Sequence, residues 1–360
     1  MTAFRLLPCG LFSRNLLQKR SIVLLLLPVL VFSLVCSTCQ LLPQPPGQPS
    51  SGPGGAEYRH EAVNISEYGQ EENQYWIFEP ASPIPESAPL IVLNHGWLAM
   101  NPQSYGAWID HLVGRGNIVV YPRYQIANTP PEETTQNAIT AVKDAIEHLQ
   151  DEGHVTPQLE RFAIVGHSLG GSITANMAAL AVSAGLPEPE AILFAEPGDG
   201  SNIGAHILTT DLSTISSEAL MVVVVASGDT VAGDTIGKRI FEQTPQIPAA
   251  NKNFVSMFSD YYGYPPLVAD HFTPVCPDDR YDVEGFNFQS LVRRIIQECL
   301  GATVNAMDYY GFWKLFDGLT DAAFYGENIE YALGNTPEQR FMGEWSDGTP
   351  VKELEVIQYP

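Results

Sequence analysis

The sequence has few basic residues for its length. Its 360 residues include 18 Lys and Arg against 41 Asp and Glu, a formal net charge of −23 at pH 7. A surface this acidic repels phosphate backbones and anionic membrane faces, which argues against nucleic acid as a partner. Hydrophobic residues make up 45% of the chain and aromatic residues 10%, so the chain can bury a large core and is not wholly disordered.

A long hydrophobic run is also lacking. The Leu- and Val-rich run at residues 21–36 is sixteen residues long, fewer than the ~20 that span a bilayer. It follows a basic stretch that ends in Lys19-Arg20, the order of a secretory signal. We therefore predict that residues 1–40 are a signal peptide or an uncleaved signal anchor. The protein would then be secreted, or tethered on the extracytoplasmic side of a membrane by an uncleaved or lipidated N-terminal segment.

Cysteines are scarce beyond that segment. Only Cys276 and Cys299 remain, and in an exported chain they are expected to pair as a disulfide, the alternative being two buried free thiols. This part of the chain contains no CxxC motif and no His/Cys cluster, so no metal site is predicted.

Short apolar runs alternate with helix-like segments between residues 57 and 300. Each run is continuous, as expected of a strand buried on both faces, and they lie at Tyr75–Phe78, Leu90–Leu93, Ile118–Tyr121, Phe162–Val165, Ala191–Ala195, Leu220–Ala226 and Phe254–Phe258. Between them, Glu132–Gln150 carries an apolar stripe at helical spacing. This alternation predicts one α/β domain with a doubly wound, mostly parallel sheet.

Two further segments flank this domain. Residues 41–56 are rich in Pro, Gly and Ser, which predicts a solvated linker. Residues 301–360 do not continue the alternation, but their Trp, Tyr and Phe content predicts a C-terminal extension packed on the domain.

The most specific motif is Gly166-His167-Ser168-Leu169-Gly170. A predicted strand precedes it and an alanine-rich helical segment follows it. A tight strand-to-helix turn holds its central side chain above the sheet, and flanking glycines remove Cβ atoms that would collide there. The motif therefore predicts Ser168 as a nucleophile, against the alternative of a glycine-rich turn with an incidental serine.

A serine nucleophile needs a base, and the base needs an orienting carboxylate. In this architecture the acid and then the histidine follow the serine along the chain. Asp229 follows the strand Leu220–Ala226, and His271 is the only histidine after it. We predict a triad of Ser168, Asp229 and His271, with rival acids at Glu196, Asp199, Asp234 and Asp270.

The oxyanion of an acyl-transfer reaction needs backbone donors. One is expected from Leu169, the residue after the nucleophile, and one from the loop that follows the strand Leu90–Leu93. Gly96 lets that loop turn, so the N–H of Trp97 is the predicted second donor.

These motifs resemble the α/β-hydrolase superfamily, most closely its lipase, cutinase and polyester-hydrolase branch together with chlorophyllase- and acetylhydrolase-like proteins. Similar relatives carry the acid in an Asp-Thr-(Ile/Val)-Ala segment and the base in a His-Phe segment, as at Asp229 and His271. The resemblance implies an exported serine hydrolase of carboxylic esters that needs no cofactor. The alternatives are an amidase, a peptidase or a cofactor-free haloperoxidase on the same triad, or a silent binding protein of the same fold.

An aromatic-rich insertion precedes the predicted base. Tyr261, Tyr262 and Tyr264 lie within it, and aromatic walls suit acyl chains or aromatic esters. We predict that these tyrosines form a rim of the substrate site, and the substrate is a small or polymeric ester.

Overall fold

The structure is a computed structural model. It describes residues 42–357, apart from residues 127, 202–203, 286–293, 295–296 and 298–300. The predicted signal segment and Cys299 lie outside the described residues.

The described chain forms one nine-stranded sheet in the order β1-β2-β4-β3-β5-β6-β7-β8-β9. The strands are β1 (Ala62–Tyr68), β2 (Tyr75–Ala81), β3 (Ser87–Asn94), β4 (Ile118–Pro122), β5 (Thr156–His167), β6 (Ala191–Ala195), β7 (Leu220–Ala226), β8 (Lys252–Met257) and β9 (Glu355–Ile357). Strands β4, β3, β5, β6, β7 and β8 are parallel, whereas β1, β2 and β9 pair antiparallel at the two ends. The mostly parallel sheet predicted from the sequence is confirmed.

Helices cover both faces of this sheet. They are α1 (Gly106–Gly114), α2 (Thr134–His148), α3 (Leu169–Ala184), α4 (Thr235–Glu242), α5 (Lys314–Tyr325) and α6 (Pro337–Arg340). Alternate strand residues point to opposite faces, so Ile91, Val165 and Val224 pack on the side of α1 and α5. Leu90 and Ile164 pack on the side of α2 and α3, and Val223 packs beside α4.

Each parallel strand ends at the same edge of the sheet, which therefore collects the loops that follow the strands. The predicted strands Ala191–Ala195 and Leu220–Ala226 have the observed bounds, and the helix expected at Glu132–Gln150 is α2. The interval between β6 and β7 differs from expectation. Its described residues include a short 3-10 helix, Leu212–Thr214, and contain no α-helix that could serve as the crossover.

The C-terminal segment, residues 301–357, packs on the domain and completes it. A π-helical turn, Asp308–Trp313, leads into α5, whose apolar face lies on the sheet, and β9 adds a strand beside β8. The predicted linker is not a free spacer, which corrects that expectation. The N–H of Gly54 donates to the buried Asp317 Oδ2 at 2.7 Å, and the N–H of Tyr264 donates to Pro43 O at 2.9 Å.

The thiol of Cys276 is free and fully buried, so the predicted disulfide does not form at this residue. Its main chain bonds to the start of α1, since its N–H donates to Ser104 O and its carbonyl accepts from the N–H of Ala107. Burial raises the pKa of this thiol well above its ordinary value. Within the described residues, no helix has the length and apolar character to cross a membrane.

Candidate active site

Ser168 occupies a sharp turn between β5 and α3. Its backbone has φ 54° and ψ −122°, a region that strains any residue with a side chain. The turn is held from below because the N–H of Ser168 donates to Ala195 O and its carbonyl accepts from the N–H groups of Gly171 and Gly198. The side chain is therefore presented at the carboxyl edge of the sheet.

The glycines of the motif are required by close backbone approaches. A Cβ on Gly166 would lie 2.2 Å from Gly170 O, and one on Gly170 would lie 2.2 Å from Asn94 O. Both distances are far below van der Waals contact, so a larger residue would push the helix off the sheet. The Gly-x-Ser-x-Gly pattern is thus explained by packing around the turn.

Backbone strain concentrates at this edge. Of the eight non-glycine residues with positive φ in the described chain, four lie in the loops that follow neighbouring parallel strands, namely Leu98, Tyr124, Ser168 and Glu196. Strained residues persist where the surrounding structure over-determines them, and they cluster at functional sites. The edge that carries Ser168 is thus the candidate site on backbone geometry as well as on motif.

Three predicted side chains meet there. Ser168 Oγ lies 2.8 Å from His271 Nε2, and His271 Nδ1 lies 2.8 Å from Asp229 Oδ2. A carboxylate only accepts hydrogen bonds, so Nδ1 carries the proton and Nε2 is free to accept from the serine hydroxyl. The imidazole is almost fully buried, and its tautomer is set for proton abstraction from Ser168.

Asp229 is held as an anion. Burial raises the pKa of its carboxyl. The hydrogen bond and charge of His271, together with the bonds from the N–H groups of Val231 and Ala232, lower the pKa by more than burial raises it. The net pKa lies below the ordinary value for aspartate. The predicted rival Asp270 instead accepts from the N–H of Phe272 at 2.9 Å, within its own turn.

A second carboxyl lies close to the same imidazole. Glu196, the first residue after β6, is fully buried, and its Oε2 lies 3.7 Å from His271 Nδ1. Among the described residues, neither of its oxygens has a hydrogen-bond partner. Burial raises the pKa of Glu196 well above its usual range, and the charges of Asp229 and Asp270 raise it further. Of the two carboxyls, burial therefore disfavours the charged form of Glu196, whereas the partners of Asp229 favour its charged form.

The other rival acids lie outside this arrangement. Asp199 accepts from the N–H of Ser201 and lies 3.6 Å from His206. Asp234 pairs with Lys238 at 2.6 Å, one turn along α4. Of the five candidate acids in the sequence, the structure brings only Asp229 within hydrogen-bonding distance of His271.

Both predicted oxyanion donors have free N–H groups. In the described part of the chain, the N–H groups of Trp97 and Leu169 donate no hydrogen bond, and Leu169 begins α3, whose positive dipole end favours an anion. The loop after β3 approaches Ser168 closely, since a Cβ on Gly96 would lie 3.4 Å from Ser168 Cβ. The N–H of Gly96 itself is occupied, because it donates to the Tyr105 hydroxyl.

The three predicted rim tyrosines are exposed. Tyr262 donates to Asp347 Oδ2 at 2.9 Å and packs beside Trp345 in the C-terminal segment. Tyr261 and Tyr264 expose more than half of their surface. Other large apolar side chains are exposed in the loops that carry the site, including Trp97 and Leu98 after β3, Val231 beside Asp229 and Val268 before His271.

His167, Glu196 and His271 offer ligand atoms within 4.8 Å of one another, which could hold a metal ion. Both nitrogens of His271 are already engaged by Ser168 and Asp229, and both nitrogens of His167 have hydrogen-bond partners. A metal here would have to break these bonds. The arrangement suits proton transfer between side chains better than metal ligation.

The nine-stranded sheet, the strand-turn-helix at Ser168 and the order of the strands define an α/β hydrolase. The chain belongs to the chlorophyllase family, whose model matches residues 58–253, more than half of the chain. This membership confirms the resemblance inferred from the motifs and supports an ester-cleaving hydrolase. The match includes Ser168 and Asp229 and ends before His271. No curated protein matches the chain.

Proposed function

We propose that this protein is a serine hydrolase that cleaves carboxylic esters through an acyl-enzyme intermediate. Ser168 is the nucleophile, His271 the general base and then general acid, and Asp229 the carboxylate that orients His271. The observation that carries the proposal is the continuous hydrogen-bonded chain from Ser168 Oγ through the His271 imidazole to Asp229, with both links at 2.8 Å. Membership in an ester-cleaving family supports the same chemistry.

The proposed reaction follows from this geometry. His271 Nε2 removes the hydroxyl proton as Ser168 Oγ bonds to the ester carbonyl carbon, and the carbonyl π electrons move onto its oxygen. As the tetrahedral intermediate collapses, the bond to the alkoxy group breaks and the imidazolium gives that oxygen its proton. Water, deprotonated by His271, then attacks the acyl-enzyme, and the proton returns to Ser168 as the carboxylic acid leaves.

The developing oxyanion is assigned to the N–H groups of Trp97 and Leu169. Both donors are unoccupied and belong to segments that adjoin Ser168. Donors aimed at charge that exists only in the transition state raise kcat without tightening ground-state binding. One such donor contributes roughly 3–4 kcal/mol.

The exposed apolar side chains in the loops that carry the site indicate that the substrates are esters with a hydrophobic acyl or alcohol group. Trp97, Leu98, Val231 and Val268 are exposed around the triad, and such side chains gain free energy when a substrate covers them. Substitution of Leu98 by Asp should raise KM for long-chain esters more than for acetate esters. Equal effects on both substrates would remove Leu98 from the binding surface.

Labelling with a fluorophosphonate probe tests the nucleophile, and p-nitrophenyl esters of two to sixteen carbons, run beside matched amides, test the reaction class. The proposal expects labelling of wild-type protein at Ser168, ester turnover and little amide turnover. Protein that is folded but neither labelled nor active would instead be a silent binding protein of this fold. Faster cleavage of amides than of esters would make it an amidase.

We also propose that the protein acts outside the cytoplasm. The proposal is supported by the basic and apolar order of residues 1–40, which lie outside the described residues. Expression of the full chain followed by cell fractionation and N-terminal sequencing tests it. An intact N-terminus in the cytosolic fraction would contradict it.

A further inference from the structure

Three buried hydrogen bonds connect the loop after β3 to the main chain of His271. The N–H of Gly96 donates to the Tyr105 hydroxyl at 2.9 Å, and this hydroxyl lies 2.7 Å from His167 Nδ1. His167 Nε2 lies 2.8 Å from the carbonyl oxygen of His271. Tyr105 and His167 are both almost inaccessible to solvent.

Only one arrangement of protons satisfies this chain. The N–H of Gly96 must donate, so the Tyr105 oxygen accepts it and its single proton is directed to His167 Nδ1. Nδ1 is therefore bare, and Nε2 carries the proton that is donated to the His271 carbonyl. Burial lowers the pKa of His167 to about 3, with a further contribution from nearby His271, so the ring stays neutral as this arrangement requires.

The chain joins two segments that hold catalytic groups under the proposed function. At one end, Gly96 directly precedes Trp97, the assigned oxyanion donor. At the other end, His271 carries the base. Ser168 lies between them, because it follows His167 in the turn and its Cβ would be 3.4 Å from a Cβ on Gly96.

The segment that carries Tyr105 also supports the loop beyond His271. Tyr105 ends a 3-10 helix, Pro102–Tyr105. The N–H of Cys276 donates to Ser104 O and the N–H of Asp278 donates to Gln103 O, both at 3.0 Å. The loop beyond His271 is therefore attached to this helix at two main-chain positions. The hydrogen-bonded chain through Tyr105 and His167 adds a third attachment, at His271 itself.

We propose that Tyr105 and His167 are positioning residues that hold the base and the oxyanion loop at fixed places on either side of Ser168. The proposal rests on the proposed function, since it assigns these residues to the same site. They act through main-chain atoms of Gly96 and His271 and do not touch the reacting atoms. Displacement of a catalytic group by about 1 Å can lower the rate roughly a hundredfold, which is why such a chain matters for turnover.

Tyr105→Phe removes the hydroxyl and keeps the ring. We expect kcat for a p-nitrophenyl ester to fall about ten- to a hundredfold, with KM within about twofold of wild type. The pH at which kcat/KM is half-maximal should not move, because the lost bond reaches only the main chain of His271. Binding of a boronic acid, which mimics the tetrahedral state, should weaken in proportion to kcat.

Tyr75→Phe is the matched control. Tyr75 is equally buried, and its hydroxyl donates to Asp144 Oδ2 at 2.7 Å on the face of the sheet covered by α2. Tyr105→Phe loses two buried hydrogen bonds, whereas Tyr75→Phe loses one part-buried bond, so Tm should fall further in Tyr105→Phe. Tyr75→Phe should keep wild-type kcat. A purely structural role for Tyr105 would lower its Tm and leave kcat per folded molecule like that of Tyr75→Phe.

His167→Gln and His167→Leu give a second test. Glutamine keeps an acceptor for Tyr105 and a donor for the His271 carbonyl, whereas leucine keeps neither, so we expect higher kcat for the glutamine variant. Equal kcat for the two, or Tyr105→Phe within twofold of wild type, would overturn the positioning role while leaving the proposed function intact. Wild-type protein that neither hydrolyses esters nor reacts with the fluorophosphonate probe would overturn both.

Discussion

The carboxyl edge of the sheet and the C-terminal segment both bury ionisable side chains, but they use them differently. At the edge, Asp229, His271 and Ser168 are hydrogen-bonded in a row that ends on the Ser168 hydroxyl. Glu196 is buried beside them with no hydrogen bond to its carboxyl from any described residue. Such an arrangement leaves polar groups incompletely satisfied, as expected where a substrate completes the site.

In the C-terminal segment, by contrast, two buried ionisable side chains have several polar partners each, Lys314 within the segment and Asp317 from distant parts of the chain. Lys314 Nζ donates to three carbonyl oxygens, those of Glu338, Gln339 and Phe341. Asp317 accepts from His111 Nε2 and the N–H of Gly54, and Arg115 Nε lies 3.3 Å away. Under the proposed function, the ionisable groups at the edge serve chemistry and those in the C-terminal segment serve stability, so substitutions in the two regions should separate activity from stability.

Ser168→Ala should have the largest effect on activity. Removal of a nucleophile lowers kcat by about four orders of magnitude or more, while the strained turn, the glycines and the helix behind it remain. Ester hydrolysis and Tm measured on the same preparation test this expectation. Activity within roughly tenfold of wild type, in protein free of contaminating esterase, would reject Ser168 as the nucleophile.

Asp229→Asn should lower kcat by at least roughly a hundredfold with little change in KM, because an amide would hold the imidazole in the wrong tautomer. Glu196→Gln is the closest control, since it replaces a carboxyl whose charged form is disfavoured by burial with a neutral amide of the same shape beside the same ring. We expect Glu196→Gln, Asp199→Asn and Asp234→Asn to stay within about tenfold of wild type. A severe loss in Glu196→Gln or Asp199→Asn, with a mild one in Asp229→Asn, would mean that the acid is wrongly assigned.

Sequence patterns predicted the parts of the fold that are locally encoded. The strand β7 reads as seven consecutive apolar residues, and the turn at Ser168 requires glycines at set spacing. The order Ser168, Asp229, His271 follows from the order of parallel strands, which all end at one edge. Strand β1 was not predicted, because AVNISEY is an edge strand with mostly exposed side chains and carries no continuous apolar run.

Long-range contacts explain the expectations that were wrong. The composition of residues 41–56 is that of a solvated linker, but Gly54 is held by Asp317, which lies 263 residues later. The disulfide was inferred from the number of cysteines, whereas the buried position of Cys276 depends on its contacts with the start of α1. No sequence motif marks the contacts of Tyr105 and Glu196 with the site. Both residues nevertheless lie in segments that follow predicted strands, at the carboxyl edge of the sheet.

Asp317→Asn should lower stability and spare activity. Breaking a buried ion pair by removal of one partner costs about 3–5 kcal/mol, which corresponds to a fall in Tm of roughly 5–10 °C. Turnover per folded molecule should stay within about twofold of wild type. Asp151→Asn, at an exposed position, is the control and should change the free energy of unfolding by less than about 0.5 kcal/mol. A large loss of kcat in correctly folded Asp317→Asn protein would contradict the separation of the two regions.

The same variant has an expected pH dependence. Burial raises the pKa of Asp317, but the charges of Arg115 and His111 and the bond from Gly54 lower it more, so its pKa in the folded protein is below the ordinary value. Its stabilisation is then present above the unfolded-state pKa of about 3.9 and is lost as the pH falls through the folded-state pKa. The difference in Tm between wild type and Asp317→Asn should therefore be constant near neutral pH and shrink in acid.

Of these changes, added salt should have the smallest effect on Tm, and it should act through the exposed charges. The first forty residues hold four of the 18 cations and no acid, so the rest of the chain carries a net charge of −27. Repulsion among exposed acids opposes the compact state, and 1 M salt shortens the Debye length to about 3 Å. Buried pairs such as Arg115 with Asp317 are screened much less.

We therefore expect Tm to hold or to rise by a few degrees between low salt and 1 M NaCl, in wild type and Asp317→Asn alike. Sucrose at matched osmolality controls for exclusion of solute from the surface, and a Tm that falls steadily with NaCl would contradict the expectation.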